Sequence, residues 1–314
     1  MKKIGVVFPG QGSQKVGMGK RLYEGFDFVK SIYKRADEAL GFSITELCFN
    51  GPEEELRQTY NTQPALLLTS YAIWTVLKEK TAIVPSFAAG HSLGEYTALL
   101  ISGFLTLEDA LQLTRKRGLF MEDACPKGKG GMVALIGADM DKVNHVLSDI
   151  SHDDYVAVPA NLNSKEQVVL SGDMGALKEA VEKLKGTGYK KAIFLNVSGP
   201  FHSPLMKDAA DRLKEELDKI KPGDMSIPVI SNVDAEPVSD KNKVTEKLYR
   251  QMFSPVLWED SIKRMAKEGV DVFLEVGPQK VLTNLIKRIE PQIPCYSIEE
   301  VEDMETVKGL LYEG

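Results

Sequence analysis

A serine between two glycines, set where a strand gives way to a helix, governs how this chain can be built. Pro85–Ala89 is a small-residue run with strand character, Gly90-His91-Ser92-Leu93-Gly94 follows at once, and a helical pattern begins directly after it. G-x-S-x-G in that setting predicts a sharp turn that exposes the serine hydroxyl. The residues two before and two after must be small because strand and helix pass close together there. The bare pattern occurs by chance in glycine-rich chains, so the flanking strand and helix give it weight. The Leu93 N–H, at the first turn of that helix, would face a developing oxyanion with help from the helix dipole.

The rest of the chain repeats the alternation. Ile4–Phe8 is a β-branched run closed by Pro9-Gly10, a helical stretch follows Pro64 and runs through Lys80, and a further helix spans Leu107–Met121. Strands alternating with helices predict an α/β layer fold with a mostly parallel sheet. Composition shifts to a linker at Lys127-Gly128-Lys129-Gly130-Gly131. Beyond it the order is strand 132–136, helix 140–150, strands 155–160 and 167–170, helix 175–185 and strand 191–197. This β-α-β-β-α-β order is ferredoxin-like. A small domain at 127–197 is therefore expected inside a larger α/β domain formed by 1–126 and 198–314. The α/β pattern resumes with a helix after Pro204, a strand at 228–231, a helix from Trp258, a strand at 272–276 and a helix after Pro278.

Composition excludes several classes. The 314 residues carry 39 Lys+Arg against 45 Asp+Glu, a net charge of −6, which argues against binding nucleic acid by charge neutralisation. Three scattered cysteines make neither a disulfide framework nor a zinc site and fit a reducing compartment. The apolar run at the N-terminus stops at Phe8, too short for a signal peptide, and Ala65–Leu77 is too short and too polar to span a bilayer. A cytoplasmic enzyme without metal is expected, with a monomer as the default.

A serine nucleophile needs a base. His91 adjoins Ser92 and should point elsewhere in a tight turn. His145 falls in a charged helix and His152 in the acidic loop Ser151–Asp154. Elimination leaves His202, after Gly199-Pro200-Phe201, with no acidic residue nearby to orient it. Pro9-Gly10-Gln11-Gly12-Ser13-Gln14 could present the Gln11 amide as a second oxyanion donor; its glycine spacing does not make a phosphate loop. Arg117 shares a small, apolar helix face with Ala110, Thr114 and Met121, whereas Arg115 lies with Glu108 and Gln112 on the polar face and is expected to be solvated. A buried arginine requires an anionic partner, and a protein carboxylate and a substrate carboxylate stand as equal alternatives.

Taken together, Phe8–Gln14, Thr62-Gln63-Pro64-Ala65, Gly90–Tyr96, Arg117-Gly118, Gly199–Ser203, Gln251 with Ser254-Pro255-Val256, and Glu275-Val276-Gly277-Pro278 resemble malonyl-CoA:acyl-carrier-protein transacylases nearly end to end. The family fold, an α/β-hydrolase-like domain with a ferredoxin-like insert, coincides with the organisation above. The resemblance implies that Ser92 attacks a thioester, His202 is its base, and the amides of Gln11 and Leu93 form the oxyanion hole. Arg117 would bind the malonyl carboxylate, and a main-chain carbonyl around Gln251 would orient the histidine in place of the missing acid. Gln251, Gln63, Asn161 and His91 complete the implied substrate-binding set.

Leu93 and Phe201 resemble members that prefer malonyl to methylmalonyl groups. Gln279 departs from the glycine often found at its position, away from the reacting groups. The implied reaction moves malonyl from malonyl-CoA through an acyl-serine to the phosphopantetheine thiol of acyl carrier protein, with no bound cofactor, for fatty-acid elongation. A trans-acting polyketide synthase acyltransferase, a serine thioesterase or esterase, and a non-catalytic carrier-protein scaffold are the competing readings. Lys127, Lys129, Lys190 and Lys191 are candidates for carrier docking.

Overall fold

The computed structural model describes residues 2–126, 128–152, 155–186 and 188–312. Among the described residues ten strands fall at β1 (Ile4–Phe8), β2 (Phe87–Gly90), β3 (Gly130–Ile136), β4 (Ala157–Ser164), β5 (Gln167–Asp173), β6 (Lys191–Phe194), β7 (Val229–Ile230), β8 (Pro237–Val238), β9 (Val272–Val276) and β10 (Cys295–Ile298). They form two sheets. The larger runs β10-β9-β1-β2-β7-β8, parallel except for its last pair. β1 and β9 are buried along their whole length, as strands covered by helices on both faces require. The smaller sheet, β4-β5-β3-β6, is antiparallel and carries helices Met140–Ile150 and Met174–Lys183 on one face over their own apolar cluster. The α/β-hydrolase-like sheet with a ferredoxin-like companion is the expected fold class.

Register decides where chemistry can occur. Phe8 ends β1 opposite Gly90 at the end of β2, so the loops carrying Gln11 and Ser92 leave the sheet side by side. β7 ends beside them and leads into Ser231-Asn232. Loops at the carboxyl ends of parallel strands are where such sheets place their sites.

Three expectations need correction. The long helix begins at Thr59, not after Pro64, and Pro64 lies inside it. Proline has no N–H to give to the Tyr60 carbonyl one turn earlier. Arg115 supplies that bond instead, through Nη1 at 3.1 Å, and also reaches Asn61 Oδ1. Arg115 is therefore half-buried and held in place rather than free on the polar face; its guanidinium lies over Tyr60 (4.5 Å) and Phe42 (4.8 Å), and Glu108 pairs with Arg35. The last strand of the small sheet also stops at Phe194, three residues early, because Leu195 and Val197 turn into the cleft. Helices over Lys20–Gly25, Asp27–Leu40, Ile44–Asn50 and Lys241–Gln251 and the strand β10 add to the elements expected.

Candidate active site

The turn at Ser92 is as tight as its glycines imply. Ser92 has φ 51° and ψ −103°, a conformation side chains rarely take, and it directly precedes the Leu93–Ser102 helix. A Cβ on Gly90 would fall 1.9 Å from the Gly94 carbonyl carbon, and one on Gly94 would fall 2.1 Å from the Phe8 oxygen. Both obstacles are backbone and cannot rotate away. Gly90→Ala is expected to destabilise the protein by roughly 3 kcal/mol or more, read as a lowered urea midpoint with unchanged slope.

The serine hydroxyl meets two side chains. Its Oγ lies 2.7 Å from His202 Nε2 and accepts from Arg117 Nη2 at 3.0 Å. His202 Nδ1 lies 2.8 Å from the Gln251 carbonyl oxygen. A carbonyl can only accept, so Nδ1 carries the hydrogen and the Nε2 lone pair faces Ser92. His202 itself has φ 58°, and the two hydrogen bonds over-determine that strained backbone.

Burial, with the Arg117 charge nearby, drives the His202 imidazole down to about 3. The ring is therefore neutral, the form a general base needs, and its NMR shifts should stay those of a neutral imidazole from about pH 5 to 8. A histidine held neutral in the fold but titrating near 6.5 when unfolded makes the unfolded state bind more protons on acidification. Stability should accordingly fall as pH drops from 6.5 towards about 3.

Arg117 lies on the Leu107–Asp123 helix and is 1% exposed. Among the described residues no protein carboxylate hydrogen-bonds to it: its partners are Gln63 Oε1 (2.7 Å), Gln251 Oε1 (2.9 Å) and the Ser92 hydroxyl. Its Nε has no partner among the described residues, and the Tyr96 ring lies 5.2 Å from the guanidinium carbon. The helix reaches this position because Gly118 packs onto Tyr60, where a Cβ would fall 2.5 Å from a backbone Cα. A fork-shaped cation held by neutral oxygens beside a nucleophile is suited to an incoming carboxylate.

The cleft is lined by Gln11, Gln63, His91, Ser92, Leu93, Arg117, Asn161, Phe201 and His202, with Met121, Met132, Leu195 and Val197 as its apolar wall. Among the described residues, neither the Gln11 nor the Leu93 backbone N–H donates a hydrogen bond within the protein. Asn161 sits at the small-sheet side with a buried, unpartnered Oδ1. His91 turns its Nε2 to Asn163 Oδ1 at 2.8 Å and packs on Trp258. Gln251 does not line the cleft; it is fully buried behind Arg117 and Ser92.

Asn232 escapes the sequence argument, yet its Oδ1 accepts from the Ser92 N–H and its Nδ2 donates to the Gly90 carbonyl, both at 2.8 Å. The available signal was its place just after a strand of the parallel sheet. Gln279, at φ 67°, occupies a left-handed position where glycine is unstrained, and its side chain ties to the Ser13 carbonyl. His145 is exposed beside Asp149, and Lys129, Lys190 and Lys191 are exposed. Lys127, Asp153 and Asp154 lie outside the described residues. Among the described residues no three His, Cys, Asp or Glu side chains converge as a metal site, and no helix is long and apolar enough to cross a membrane.

An elbow serine, a neutral histidine oriented by a carbonyl and two free amides define a serine acyl-transfer site. Residues 6–308 match the acyl transferase domain family, and the chain belongs to that family of acyltransferases. The Bacillus subtilis (strain 168) malonyl CoA-acyl carrier protein transacylase is 46% identical over 313 residues, covering 100% of this chain and 98% of the relative. The crystal structure of the corresponding transacylase from Clostridium perfringens superposes with a TM-score of 0.94 at 39% identity, covering 99% of this chain and 98% of that one. A malonyl-transacylase in complex with a type II PKS acyl-carrier protein gives 0.95 at 38% identity, covering 98% and 99%.

Proposed function

We propose that this protein transfers a malonyl group from malonyl-CoA, through an ester on Ser92, to the phosphopantetheine thiol of acyl carrier protein, supplying fatty-acid elongation. The observation that carries the reading is the Arg117 guanidinium 3.0 Å from the same hydroxyl that His202 contacts. A hydrolase for uncharged acyl groups has no use for a desolvated cation at that point.

His202 Nε2 takes the Ser92 proton as Oγ attacks the thioester carbonyl. The oxyanion forms between the Gln11 and Leu93 N–H groups, each such donor contributing about 3 kcal/mol in comparable enzymes. Collapse breaks the C–S bond, and coenzyme A leaves as a thiol with the proton returned by His202. In the second half-reaction His202 deprotonates the carrier thiol, which attacks the acyl-serine, and the proton goes back to Oγ. One thioester is broken and one made, so the exchange is close to thermoneutral and the protein groups suffice.

Gln63 and Gln251 steady Arg117 while it holds the malonyl carboxylate, and Asn161 offers an acceptor to an N–H of the substrate arm. The protein acts as a monomer in the cytoplasm. Because a comparably similar neighbour serves a polyketide carrier, trans-acting service to a polyketide synthase is the second reading.

Intact-protein mass after brief exposure to malonyl-CoA, then to phosphopantetheinylated carrier, tests the proposal. A malonyl adduct that moves to the carrier is expected, weak when acetyl-CoA replaces malonyl-CoA. An adduct that decays to free malonate with or without carrier would make the protein a hydrolase.

A further inference from the structure

Glu95 lies on the first turn of the nucleophile helix, 2% exposed and outside the cleft lining. Its Oε2 accepts from Gln251 Nε2 at 2.8 Å and from the Asn232 N–H at 3.0 Å. A glutamine amide has nearly the same shape at both ends, so its partners decide which end is nitrogen. The nitrogen end of Gln251 faces Glu95 most closely, with Ser92 O at 3.1 Å and Asn232 Oδ1 at 3.4 Å as weaker acceptors. The oxygen end faces Arg117 Nη2 at 2.9 Å. Reversed, the amide would set N–H against N–H and push the guanidinium off its place beside Ser92.

We propose that Glu95 is a positioning residue for acyl-group selectivity: by holding the nitrogen of Gln251, it keeps Gln251 Oε1 on Arg117 and Arg117 beside the nucleophile. The inference rests on the reading of Arg117 as the malonyl-carboxylate site. His202 is oriented by the Gln251 main chain, not its side chain, so Glu95 acts on the choice of acyl group more than on the proton relay. Burial raises the Glu95 carboxyl to about 7, a sign of how little solvent competes for its oxygens.

The test is the ratio of kcat/KM for malonyl-CoA to that for acetyl-CoA in three variants whose Ser92 still reacts with a fluorophosphonate. Glu95→Met, close in size but without an acceptor, is expected to lower the ratio roughly tenfold, mainly through KM for malonyl-CoA. Glu95→Gln keeps an acceptor oxygen and should stay within about threefold of the unsubstituted protein. Glu95→Asp keeps the charge but not the reach and should fall between them.

An unchanged ratio in folded Glu95→Met, or a loss in Glu95→Gln as large as in Glu95→Met, would overturn the proposal. Should Glu95→Met not fold, an unchanged ratio in Glu95→Asp would overturn it equally. Absence of malonyl preference in the unsubstituted protein, or its survival in Arg117→Ala, would sink the Arg117 reading instead.

Discussion

Replacing Ser92 with alanine is expected to abolish the malonyl adduct and slow transfer by roughly 10⁴-fold or more. Oγ is the atom on which the site converges, 2.7 Å from the base and 3.0 Å from the guanidinium. Alanine meets the same backbone demand at φ 51° as serine does, so the variant should fold with the cleft intact. Intact mass and transfer to carrier are the measurements. A folded Ser92→Ala protein that still gained malonyl mass would place the nucleophile elsewhere.

Arg117→Ala is expected to reduce kcat/KM for malonyl-CoA roughly 100-fold or more, since a charge-assisted bidentate contact and its buried partners are lost together. Transfer of acetyl should change far less, so the preference collapses. A second consequence follows from charge. Burial is the larger cause of the lowered His202 value and Arg117 adds to it, so removing the guanidinium lets the value climb part of the way and moves the acid limb of activity upward. Arg117→Lys should not rescue selectivity, because one ammonium cannot reach Gln63, Gln251 and the substrate as a planar fork does. Unaltered malonyl preference in Arg117→Ala would refute the assignment.

Much of this site was legible because its demands are local. The close approach of Gly90 and Gly94 can be read as spacing, and so can Arg117 on an apolar stripe. The orientation of His202 was legible through resemblance alone, because a main-chain carbonyl leaves no residue type to search for. Asn232 was hidden for a different reason. It reaches Ser92 across 140 positions of sequence, and although the strand before it is legible, neither its residue type nor its spacing ties it to that serine. Arg115 misled because its helix face was judged by charge, whereas the carbonyl that claims it exists only through a proline on another helix.

That proline has a consequence for precision. A helix whose unmet carbonyl is answered by its neighbour is keyed to that neighbour at one point along its length, since sliding by a residue would strand both the Tyr60 oxygen and the Arg115 guanidinium. Gln63 follows three positions after the oxygen, and Arg117 two after the guanidinium. The two helices are thus indexed like a vernier, and the 2.7 Å contact between Gln63 and Arg117 is set by a bond that one helix cannot make within itself.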